Sequence, residues 1–116
     1  MERISETINK IYQKYLPIVK KIGVTLDVDF PDTTLTISER ERVERDLDKT
    51  MRSAVSRSKS KGKIVITVRP GRIIIADNGT TLSKTTCDLL TTEHIEVKSR
   101  VGFGTTVTIK ESKHQD

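Results

Sequence analysis

Residues 63–79 read KIVITVRPGRIIIADNG, and this stretch decides the fold. Residues 63–68, KIVITV, form a strand. Pro70-Gly71 is a turn signal. Residues 72–76, RIIIA, form a second strand that is nearly all apolar, which predicts a central place in a sheet. Asp77-Asn78-Gly79 ends it. Toward the C-terminus, a short helix or turn is expected over Ser83–Leu90. Two further strands, His94–Ser99 and Thr105–Lys110, flank the turn at residues 100–104. The tail ESKHQD, residues 111–116, is expected to fray.

Toward the N-terminus, Ser38 with Glu41 three residues later forms a capping box. The helix that follows carries Val43, Leu47, Met51, Ala54 and Val55 on one face, and fades near Arg57–Gly62. VTLDVDF, residues 24–30, alternates apolar and polar as a half-buried strand does. Pro31-Asp32 makes a turn, and Leu35 and Ile37 suggest a second short strand. Residues 3–22 place Ile4, Ile8, Ile11, Tyr15, Ile18 and Ile22 at a 4, 3, 4, 3, 4 spacing. Pro17 is expected to kink or split that helix, and Gly23 to stop it. The helix either lies on its own domain or pairs two chains through Ile4, Ile8, Ile11, Tyr15 and Ile18. The organisation expected is therefore an N-terminal helix over 1–22, a domain over 23–110 and a tail over 111–116. Its architecture is an α/β two-layer sandwich of the α+β kind, with helices on one face of a mixed sheet.

With 116 residues the chain is one domain, and 34% hydrophobic with 32% charged residues suits a globular one. The longest apolar runs are four or five residues, too short to span a membrane. MERISETINK has no apolar signal-peptide core, so a cytoplasmic location is expected. A lone cysteine, Cys87, excludes an internal disulfide, and with two histidines it excludes a Cys/His zinc site. Cys87 reads as a small buried apolar residue. Four aromatics, Tyr12, Tyr15, Phe30 and Phe103, are poor material for stacking bases. Asn and Gln together number four, and with abundant charge this hints at a thermophilic source.

No nucleophile–base set stands out, and His94 and His114 are far apart. The order of the weaker signals is more informative. GVTLDVDFPD, the capped helix RVERDLDKTMRSAVSRS, the hairpin KIVITVRPGRIIIADNG and the closing SRVGFGTTVTI together resemble the histidine kinase-type ATPase (Bergerat-fold) domain. The resemblance runs from about residue 18 to 110. It implies a Bergerat-like mixed sheet. Asp77 falls on the aspartate that accepts from the adenine amino group, and Gly79 on the glycine that lets the base approach. Thr105, after Gly104, falls on the threonine that works with that aspartate through a water. The adenine side is thus kept in outline.

The phosphate side departs from the family. The metal-binding asparagine falls on Ser53, a poorer Mg²⁺ ligand. The general-base position falls on Lys49, and a cation cannot take a proton from water. Thr81 replaces a glycine of the family's Asp-x-Gly-x-Gly. Residues 80–99 contain no glycine, so the glycine-rich ATP lid is missing. No catalytic residue is assigned, ATP or ADP is expected to bind weakly if it binds, and Mg²⁺ is not expected. The implied role is a degenerate, non-catalytic regulatory module whose partner is another protein. It lacks an evident phosphoacceptor histidine helix.

From Lys49 to Arg72 there are eight basic residues and no acidic one. This supplies a second reading, nucleic-acid binding through Arg52, Arg57, Lys59, Lys61 and Lys63. A divergent active ATPase or kinase is the third reading.

Overall fold

The computed structural model of the chain describes residues 2–30 and 36–111. The turn expected at Pro31-Asp32, Leu35, His114 and the tail beyond Glu111 lie outside the described residues. Among the described residues, seven strands and three helices follow in the order β1 (Glu2–Arg3), α1 (Ile4–Lys21), β2 (Thr25–Asp29), β3 (Thr36–Ile37), α2 (Arg40–Arg57), β4 (Lys63–Arg69), β5 (Arg72–Asp77), α3 (Lys84–Leu90), β6 (Ile95–Arg100) and β7 (Gly104–Lys110). Five strands form one sheet in the order β2-β4-β5-β7-β6, and β1 pairs with β3 apart from it. β2 runs parallel to β4, while the other pairs of the large sheet are antiparallel. The sheet is therefore mixed, and the apolar strand β5 is its centre.

Burial alternates along β4, β5 and β7, so one face of the sheet is closed and the other open. The closed face offers Ile64, Ile66, Val68, Ile73, Ile75, Val107 and Ile109, and α2 meets it with Val43, Leu47, Met51 and Ala54. The open face is polar around Ile74: Thr67, Thr106 and Thr108 surround it, with Asp27–Lys63 and Asp29–Arg69 ion pairs at one edge.

The N-terminal seam turns inward. Ile4, Ile8, Ile11, Tyr15 and Val19 are buried in the core of their own chain, whereas Ile18 is 43% exposed. Burial of Ile4, Ile8, Ile11 and Tyr15 within the chain fits the helix lying on its own domain, with Ile18 left on the outer face. The core takes Val19 rather than Ile18, four residues after Tyr15 on the same side of the helix. Pro17 does not split α1. It lies in the helix on an exposed face with Gln13, whose carbonyl it leaves unbonded, and water can satisfy that oxygen. Tyr15 Oη donates to Asp48 Oδ1 at 2.7 Å, and Lys14 Nζ to the same oxygen at 2.6 Å, so α1 is fastened to α2.

The capping box at Ser38 does not form. The N-cap of α2 is Glu39, without a side-chain cap bond, and its carboxylate accepts from Arg42 Nε at 3.1 Å instead. Ser83 does cap α3, accepting from the Thr86 amide.

Candidate functional site

One face of α2 carries Asp46, Lys49, Thr50, Ser53 and Arg57 at helical spacing. With Leu82, Leu90, Ile95, Val97 and Val107 they line a cavity of about 170 Å³ between α2, α3 and the β6–β7 side of the sheet. Ordinary small-molecule pockets start at roughly 300 Å³, so this one suits only a small guest.

Asp77 ends β5 at the base of this region, with its side chain 1% exposed. A carboxylate buried so deeply needs donors. The Gly79 amide gives one to Oδ1 at 3.0 Å, and Arg57 Nη2 gives the other to Oδ2 at 2.7 Å. Arg57 is itself 9% exposed. Its Nη1 donates to Ser53 Oγ, while Nε is buried without a partner among the described residues. The Arg57 backbone carbonyl accepts from the Thr80 amide at 3.0 Å. One residue thus clamps the end of α2 to the end of β5.

Two glycines make the approach possible. A Cβ on Gly79 would stand 2.4 Å from the Arg57 carbonyl oxygen. On Gly104, at φ +89°, it would stand 1.9 Å from the Asp77 carbonyl oxygen. Thr105 pairs with Asp77 across β5–β7 and is fully buried. Its hydroxyl lies 2.8 Å from Ser99 Oγ, which accepts from the Leu82 amide at 2.8 Å. That bond pins the segment leading into α3 against the sheet.

Asp77, Gly79, Gly104, Thr105 and Ser53 therefore do converge on one end of the sheet. The basic stretch is at the surface except at Arg57. Arg52, Lys59, Lys61 and Lys63 are exposed, Arg52 pairing with Asp48 at 3.0 Å and Lys63 with Asp27 at 3.2 Å, whereas the Arg57 side chain is 9% exposed and lies on Asp77. Arg57 as a member of an exposed patch is thus corrected. Cys87 is buried at the inner side of α3, as expected of a small apolar residue.

Arg57 as the partner of Asp77 was not foreseen from the sequence. The available signal was its place four residues after Ser53, on the same face of α2.

Each Asp77 oxygen accepts one hydrogen bond, Ser53 Oγ accepts from Arg57, and among the described residues no three His, Cys, Asp or Glu side chains cluster as a metal site. No helix of the described chain is long and apolar enough to cross a membrane.

No protein-family model matches the sequence, and no curated protein matches it. Solved structures do. The nucleotide-free catalytic domain of the histidine kinase ThkA aligns with a TM-score of 0.75 at 17% identity, over 95% of this chain and 97% of that one. The mycobacterial sensor histidine kinase MprB aligns at 0.67 and 13% identity, over 93% of each chain. ThkA in complex with the response regulator protein TrrA aligns at 0.76 and 16% identity, over 93% of this chain and 40% of that one. The chain has the fold of histidine kinase catalytic domains, the mixed-sheet α+β sandwich expected from the sequence.

Proposed function

We propose that this chain is a degenerate, non-catalytic version of the histidine kinase ATP-binding domain that acts by contacting another protein. One observation carries the reading: Arg57 lies on Asp77, so the carboxylate that should receive an adenine amino group already holds a guanidinium. Lys49 at the general-base position and the pinned segment before α3 support it. With ATP or ADP held at most weakly and without a Mg²⁺ ligand set, the retained fold serves as a scaffold. A response regulator is seated against ThkA in the solved complex, and a protein partner for this chain is proposed by analogy with that assembly. Val101 and Phe103, 84% and 73% exposed at the β6–β7 tip, are side chains that such a partner would cover.

The test is a titration of the purified protein with ATP, ADP and adenosine, with and without Mg²⁺, alongside an assay of phosphate release. The expected result is no release above background and equal, millimolar-range binding of the three. Mg²⁺-dependent phosphate release that disappears in Ser53→Ala would overturn the reading.

A further inference from the structure

We infer that the cavity beside α2 is a binding site for a small apolar carboxylate, a ligand class distinct from a nucleotide. Its walls are Leu82, Leu90, Ile95, Val97 and Val107, drawn from the loop before α3, from α3 and from β6 and β7. They offer a compact apolar body a dry seat. The charges on the lining then decide what else the guest carries. Asp46 is met by Arg42 at 3.2 Å, and Arg57 is met by Asp77 at 2.7 Å. Lys49 lines the cavity, is exposed, and has no ion pair among the described residues. Once the paired charges cancel, an ammonium remains beside an apolar hollow. An anion on an apolar body satisfies both at once, and a carboxylate accepts a charge-assisted hydrogen bond from such a donor. The cavity volume of about 170 Å³ limits that body to about the size of one ring. A triphosphate, by contrast, would need several cations.

The site is read by recording backbone amide shifts of the labelled full chain during titration with benzoate, benzamide, acetate and adenosine in parallel. Benzoate is expected to bind in the millimolar range, as so few atoms allow. It should move the amides of Lys49, Leu82, Leu90 and Val97. Benzamide, which lacks the charge, should bind about tenfold more weakly, and acetate, which lacks the body, should not bind measurably. Lys49→Gln, at an exposed position, should leave the melting temperature unchanged and reduce benzoate to the level of benzamide. Benzamide binding as well as benzoate would overturn the role of Lys49. Absence of shifts at these amides at the highest soluble benzoate concentration would mean that the hollow is a packing void. Adenosine displacing benzoate with higher affinity would return the cavity to the nucleotide.

Discussion

Arg57 Nη2 donates to Asp77 Oδ2 at 2.7 Å, joining residues twenty apart in the chain and burying both charges. Removing either member leaves the other's charge unpaired in a largely buried place. Arg57→Ala and Asp77→Ala should each destabilise the domain by about 3–5 kcal/mol. Together they should cost clearly less than the sum, since the double variant leaves no orphan charge. Urea unfolding of the four proteins in the cycle measures the coupling; strict additivity would mean the pair carries no interaction.

The same contact predicts a gain. Shortening Arg57 to Ala frees Asp77 Oδ2 as an acceptor, so adenosine should bind the variant more tightly than the wild type, by up to about tenfold. Equal affinities in an amide-shift titration would show that Asp77 does not receive the base.

Gly102 and Gly104 separate strain from space. Both have positive φ, +84° and +89°, yet an added Cβ meets nothing within 4 Å at Gly102 and a backbone oxygen at 1.9 Å at Gly104. Gly102→Ala should cost about 1–2 kcal/mol, the price of the left-handed backbone alone. Gly104→Ala should cost about 3 kcal/mol or more, because Asp77 must also move. Thermal unfolding of the two variants side by side gives the comparison.

Tyr15 sets an alkaline limit. Burial first, and then its hydrogen bond to Asp48, push its hydroxyl up to about 12. An unfolded tyrosine titrates near ~10. A raised folded value gives stability that is fully present below pH ~10 and lost as pH rises from there through about 12, on the order of 3 kcal/mol in all. Asp48 acts in the opposite sense. The Lys14 ammonium holds its carboxyl below the usual range, so its contribution is present above ~3.9 and fades as pH falls through the folded value. Stability measured by urea unfolding across pH should therefore lose its alkaline step in Tyr15→Phe and keep a smaller acid one, held by Lys14.

The seam of α1 makes a further expectation checkable. Ile11 is 2% exposed and Ile18 43%. Ile11→Asp should abolish cooperative unfolding, because it buries a charge, while Ile18→Asp should change stability by no more than about 0.5 kcal/mol. A folded Ile11→Asp protein would place that face outside the core.

The sheet was legible because its information is local. RIIIA can only be a buried strand, and Pro70-Gly71 and Asp77-Asn78-Gly79 punctuate it. β1 was not legible: two residues, Glu2 and Arg3, become a strand only because Thr36 and Ile37 lie opposite. Pro17 does not split α1, because the hydrogen bond it removes falls on an exposed side that water reaches. At the site, Asp77, Gly79, Gly104, Thr105 and Ser53 could be placed together by their order along the chain. Arg57 could not, since in sequence it sits among cations and its true environment is a carboxylate twenty residues away.

The single parallel pairing in the sheet governs the order in which the chain can fold during synthesis. β5 can pair with β4 across the two-residue Pro70-Gly71 turn, and β6 with β7 across a comparably tight one. β2 has no such neighbour. Its partner begins at Lys63, beyond the whole of α2. A nascent chain that has emerged only as far as Gly62 therefore carries a completed α1, β2 and α2 with no sheet to lie on, and their apolar faces stay exposed until the hairpin arrives. Long-range closure of this kind is slow, and it makes the first half of the protein the segment most exposed to aggregation before the second half is made.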